Sequence, residues 1–300
     1  MQVNTDKRKN GTPLIVAAAV LWGMMGIFVR SLNGFGFGSM QIVALRVSFS
    51  AAMMGAVLLV KDRSLFKVKI KDLWCFLGTG ICSIVFFNFC YFRAIELTSL
   101  SAAAVMLYTA PIMVMTMSLF LFKEKINGVK IAAAVLAFAG CALVTGVVGG
   151  GFNVNGTGVL LGLGSAFGYA LYSIFSRFAI NRGYGSLTIT FYTFLFASAG
   201  VLPFAEITDM TGKISASPIC IATGILLALL ITVAPYLLYT AGLENTSPGK
   251  ASVMASVEPV MATVVGIVLF KEKPDIFGTV GIVMVIASVA MLNMGKNKAD

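Results

Sequence analysis

The chain has 300 residues, of which 58% are hydrophobic and only 11% charged, with a mean hydropathy of +0.94. A soluble domain carries about a quarter charged residues, so this chain lacks the polar groups to cover a water-facing surface and belongs in a bilayer. The net charge of +10 would suit nucleic acid, but the basic residues sit in short loops between apolar runs. Membrane topology accounts for them there, and no nucleic-acid partner is expected.

Ten apolar segments follow one another, each about the 20 residues that cross a hydrocarbon core as a helix. They cover 12–30, 40–60, 73–92, 99–122, 129–148, 157–177, 186–204, 216–240, 250–270 and 276–294. The first follows Lys7-Arg8-Lys9 but lacks a small-residue cleavage site, so it reads as a retained helix and not as a signal peptide. The expected organisation is a tail at 1–11, a first repeat at 12–148, a flexible Gly-rich linker at 149–156, a second repeat at 157–294 and a tail at 295–300.

Arg46 lies within the second segment, as a candidate anion contact or a structural charge that pairs with Glu258 or helix-end carbonyls. In the third, Cys75, Cys82 and Cys90 fall roughly on one helix face and read as small packing residues. Five cysteines and no histidine support neither a disulfide framework nor a His/Cys zinc site, so no metal or cofactor is expected. In the sixth, Gly158/Gly162 and Gly164/Gly168 superficially resemble a dinucleotide loop. Their spacing and context make them close-packing positions between helices instead.

Counting Lys and Arg loop by loop, with the N-terminus inside, places sixteen on the cytoplasmic side and five outside. This predicts cytoplasmic N- and C-termini. The halves are also related in sequence. Tyr91–Lys125 overlies Tyr239–Lys273 without a gap, with fourteen of 35 positions identical, including Thr98-Ser99 with Thr246-Ser247, Pro111 with Pro259 and Lys123-Glu124-Lys125 with Lys271-Glu272-Lys273. More weakly, Trp22–Arg30 resembles Tyr169–Arg177. Five helices is an odd number, so the second copy enters from the opposite side. An all-α membrane protein with an inverted 5+5 repeat of ten transmembrane helices is expected.

The candidate functional residues lie inside these spans. Glu258 stands near the centre of the ninth, where an ionised group costs several kcal/mol unless it meets protein or water. It is either a proton-coupling carboxyl or a hydrogen-bonded lock between helices. On a continuous helix it would point about 120° away from the Ser252, Ser256, Pro259, Thr263 and Gly266 face. Pro111 and Pro259 occupy matching mid-helix positions and, with Pro235, should break their helices and free carbonyls at membrane depth. Trp22, Asn88, Tyr108, Tyr169, Tyr172 and Tyr236 are the candidate lining of a substrate pathway. Tyr91 and Tyr239 sit nearer span ends, as an interfacial belt would.

Trp22-Gly23, Arg46, Pro111…Lys123-Glu124 and Glu258-Pro259…Lys271-Glu272 together resemble the EamA family of the drug/metabolite transporter superfamily, over nearly the whole chain. The resemblance implies an inverted ten-helix fold with a central pathway and helices 5 and 10 at the edge. It also implies export of amino acids or related metabolites from the cell membrane. No arginine in the seventh span repeats Arg46, which weighs against a symmetric role for it. The rival classes are an intramembrane enzyme and a sensor or receptor. Without histidine there is no Ser-His dyad or zinc-protease motif, and all aspartates fall in loops, tails or span edges. A sensor lacks a signalling surface here, because the longest cytoplasmic loop is short. The expected partners are a small-molecule substrate, the lipid bilayer and protons, with the chain as a monomer or weak homodimer.

Overall fold

The computed structural model describes residues 11–146, 155–271 and 276–294. Most of both tails, most of the linker, and Glu272 and Lys273 of the second Lys-Glu-Lys lie outside the described residues. Within them all regular structure is helical. Among the described residues nine helices are long and apolar enough to cross a membrane. In chain order the rods are α1 (Thr12–Gly34), α2 (Ser39–Lys61), α3 (Ile70–Leu97), α4 (Leu100–Phe122), the shorter α5 (Gly128–Val144), α6 (Gly156–Asn181), α7 (Ser186–Phe204), α8 (Ile219–Glu244), α9 (Pro248–Phe270) and α10 (Ile276–Met294). α5 has 17 residues and falls short of a full span by length. A short helix, Ile207–Ala216, connects α7 to α8.

Local chemistry marks the helix ends. Ser99, Asn127 and Asn155 cap α4, α5 and α6 by accepting from the N–H groups of Ala102, Lys130 and Thr157 at 3.1, 2.9 and 3.0 Å. Pro13 and Pro248 sit in first turns, where a missing N–H costs nothing. α4 and α9 end alike, with Lys123 and Lys271 in the left-handed region at φ 54° and 55°. Glycine normally takes that position, and both repeats keep lysine there.

Contacts between rods repeat with a period of five helices. α1 packs on α8 and α9 as α6 packs on α3 and α4, while α2 pairs with α7, α4 with α9 and α5 with α10. Matched rods run in opposite directions. The start of α1 meets the end of α10 through the Thr12 hydroxyl and Asn293 Oδ1, at 3.3 Å. The start of α6 instead lies against Thr98, at the end of α3. We call the end holding the start of α1 the base.

A bilayer gives little drive to bury one apolar helix against another, so small residues set the closest crossings. Gly158, Gly162 and Gly168 of α6 let it approach α3 and α4, against Thr98, Met106 and Phe87. α5 and α10 touch backbone to backbone at Gly140 and Gly281. A Cβ at either would lie 2.8 or 2.6 Å from the other's carbonyl oxygen. Gly281→Ala should therefore destabilise the protein by about 1–3 kcal/mol, read as earlier unfolding in a denaturant titration in detergent. The cysteines of α3 do not share a face. Cys75 and Cys90 are buried and Cys82 is exposed, because a π-helical stretch, Gly78–Val85, shifts the phase between them.

Candidate functional site

Four rods are irregular at mid-depth, in matched pairs. α4 breaks at Tyr108-Thr109 and α9 at Ser256, each just before the segment that begins with or contains the repeat proline. Pro111 and Pro259 lie two or three residues beyond these breaks. α3 and α8 carry π-helical stretches, Gly78–Val85 and Leu227–Val233. Pro235 opens the α-helical turn after the second stretch, so it marks a widened turn and not a kink of its own. α1 has a further break at Met24. There Gly23 presses on α9 so closely that a Cβ would lie 2.6 Å from the Glu258 carbonyl oxygen.

Between these irregular rods lie two adjoining crevices. One is lined by Tyr108, Pro111, Tyr169, Ser252, Ser256 and Glu258. The other is lined by Trp22, Ser83, Phe87, Tyr169, Tyr172, Ser173, Tyr236 and Tyr239. Tyr169 separates them. Each has room for only about one water, so neither is open to a larger molecule at this depth. The continuous-helix expectation for Glu258 is corrected, since the break at Ser256 resets the phase. Ser252, Ser256 and Glu258 therefore line the same space.

The aromatic box is tightly joined. Trp22 packs on Tyr236 and Tyr239 with ring centres 5.2 and 5.4 Å apart, and Tyr172 meets Tyr236 edge-on at 4.9 Å. Such pairs contribute about 0.5–1.5 kcal/mol each beyond burial. Tyr172 exchanges a hydrogen bond with Thr240, and Tyr239 with Ser173, each at 2.7 Å. Tyr239 is 2% exposed, so it belongs to the box and not to an interfacial belt. Its helix runs on to Glu244, which places it deeper than the apolar run suggests. Tyr91 is half-buried and stacks on Phe87.

Two charges accompany the box. The Tyr169 hydroxyl lies 3.5 Å from Glu258 Oε2, and among the described residues Glu258 forms no ion pair. Arg46, 4% exposed, donates to Asn88 Oδ1 at 3.4 Å, while Asn88 donates to the Ile84 carbonyl at 2.7 Å. Arg46 and Glu258 are near enough to attract one another, but they do not meet. Asn88 lines neither crevice and serves to hold Arg46. Trp22, Tyr108, Tyr169, Tyr172 and Tyr236 do line them. Ser83, Phe87, Ser173 and Tyr239 join them, and of these only Tyr239 carries a signal in the duplication.

At the base Glu124 joins the two halves, and Arg177 ties α6 to the end of α8 and the turn beyond it within the second half. Glu124, at the end of α4, accepts from the Ser247 hydroxyl at 2.5 Å, the Gly249 N–H at 3.3 Å and Lys130 Nζ at 3.0 Å. Arg177 donates to the Leu243 and Thr246 carbonyls beside it. Ser247 and Ser99 are repeat counterparts with different bonds. Ser99 caps its own helix, whereas Ser247 gives its hydroxyl to Glu124 and caps nothing.

Paired broken rods around buried aromatic and charged groups, with nine helices among the described residues long and apolar enough to span a membrane, define a multi-pass membrane protein of the two-repeat transporter class. The family model for EamA-like transporters matches residues 9–146 and again 156–294, and the chain belongs to that family. It is 24% identical to YxxF, an uncharacterized transporter of Bacillus subtilis (strain 168), over 96% of this chain and 91% of the relative. It is 28% identical to an uncharacterized transporter of Archaeoglobus fulgidus, over 93% and 94% of the two chains. A crystal structure of a protein with 18% identity superposes with a TM-score of 0.79, covering 96% of this chain and 99% of that one, which shows the shared fold.

Proposed function

We propose that the protein moves a small organic metabolite, an amino acid or related compound, out of the cell by alternating access between its two repeats. The observation that carries this is the pair of closed crevices where the broken rods of both repeats meet, with Glu258 and the Trp22–Tyr236–Tyr239 box on the two sides of Tyr169. A ring or alkyl group fits the box by stacking, and the charges beside it suit polar ends. α5 acts as a tenth span, completing an inverted 5+5 repeat with the base in the cytoplasm. Comparing metabolites between overexpressing and deleted cells identifies the substrate, and labelled flux into proteoliposomes then tests carriage. Protein-dependent uptake is expected, and binding without any flux would favour a sensor instead.

The sidedness follows from the sixteen-to-five charge distribution. In a cysteine-free background, Lys67→Cys at the base should resist an impermeant reagent in intact cells, and Thr211→Cys at the opposite end should react. Labelling of position 67 would overturn the orientation. The matched breaks should matter to movement more than to folding, because carbonyls freed there either line the pathway or change partner within it. Pro111→Ala and Pro259→Ala are expected to lower flux several-fold with expression kept. Wild-type rates in both would remove the breaks from the mechanism.

A further inference from the structure

The segment joining α2 to α3 at the base carries Lys61, Arg63, Lys67, Lys69 and Lys71, all exposed. Its two acids are already engaged. Asp62 accepts from the Ser64 hydroxyl at 2.7 Å and the Ser64 N–H at 2.8 Å, which together hold its carboxyl below the ordinary carboxylate range. Asp72 is buried and takes Arg182 Nε at 3.0 Å and the Tyr184 hydroxyl at 2.8 Å. Among the described residues none of the five cations stands in an ion pair.

The backbone beneath them is fastened to α7 and to the turn before it. The Leu65 carbonyl accepts from Thr188 at 3.0 Å, the Phe66 carbonyl accepts from Tyr192 at 2.7 Å, and the Lys69 N–H donates to Tyr184 at 3.0 Å. The Phe66 ring packs edge-on against Phe191. Val60 and Ile70 flank the segment at 90% and 86% exposure, as residues in contact with lipid would. A topology signal needs cations on one side of the membrane. It does not need them held on a fixed scaffold and outside any ion pair.

We propose that residues 61–71 form a platform that binds the headgroups of anionic phospholipids in the leaflet around the base. The unpaired cations supply charge complementarity to lipid phosphate, and the fastened backbone avoids the entropy of ordering a loop on binding. Each cation near an anionic surface contributes about a fivefold gain in association.

The test is native mass spectrometry of the full chain in detergent, titrated with phosphatidylglycerol or phosphatidylcholine. The wild type should bind phosphatidylglycerol preferentially. Lys67→Gln with Lys69→Gln should weaken that binding roughly tenfold or more and leave phosphatidylcholine binding unchanged. Lys123→Gln with Lys125→Gln removes the same charge from exposed sites elsewhere at the base and should change little. Equal loss in both double variants would reduce the effect to net charge and overturn the platform. Undiminished binding in the first variant would overturn it as well.

Discussion

Glu258→Gln should abolish uptake driven by a pH gradient in proteoliposomes while the protein still folds and binds its substrate. Glutamine has the shape of the glutamate and keeps an oxygen to accept from Tyr169, 3.5 Å away. It cannot gain or lose a proton, and it removes the attraction between position 258 and Arg46. The carboxyl lines the crevice directly after the break in α9 and forms no ion pair among the described residues, so its charge is free to change with the occupant of that space. Glu258→Leu goes further by leaving the half-buried Tyr169 hydroxyl without that acceptor, a penalty of about 1 kcal/mol. Its yield of folded protein should therefore fall. The measurement is flux with and without an imposed gradient for wild type and both variants. Full gradient-driven uptake by Glu258→Gln would leave Glu258 as a packing residue, since a neutral amide can replace an acid that never titrates.

The two-repeat architecture was legible because the second copy kept identities where geometry is demanding. Pro111 and Pro259 mark breaks that the structure places within three residues of each. The Lys-Glu-Lys motif marks the left-handed ends at Lys123 and Lys271. Features set by packing across the bundle were harder to read. The π-helical stretch of α3 contains Gly78 and Gly80, but its counterpart in α8, Leu227–Val233, is plain aliphatic sequence around Thr232. Its local mark is Pro235, two residues beyond the stretch. Helical projection misplaced Glu258 because it assumed one continuous rod, and the turn at Ser256 changes which residues share a face. Tyr239 looked interfacial because hydropathy ends near residue 240, whereas the helix continues four residues further. Asn88 looked like pathway lining because a buried amide suits a pocket, yet its partner is Arg46. That pairing joins residues 42 apart on different rods, and no spacing rule reports it.

Glu124→Ala should open the base. The Glu124 side chain is 8% exposed and holds the loop before α9 through Ser247 and Gly249, while Lys130 neutralises it. Hydrogen bonds to a charged group are each about 1.5–3 kcal/mol, and Lys130 freed of its partner is exposed enough to hydrate. A net loss of about 2 kcal/mol from the closed arrangement is a roughly thirtyfold shift in population toward an open base. Ser252→Cys in a cysteine-free background reports it, because that position lines the crevice beside Glu258. Its labelling by an impermeant maleimide from the base side, in inside-out vesicles, should be slow in wild type and about thirtyfold faster with Glu124→Ala. Ser247→Ala should lie between, having lost one bond of the set. Ser99→Ala tests the counterpart. Ser99 only caps its own helix, so this change should cost about 1 kcal/mol of stability and leave labelling from the base unchanged. If Glu124→Ala labels no faster than wild type while remaining folded, the Glu124–Ser247 contact fastens a loop and does not govern access.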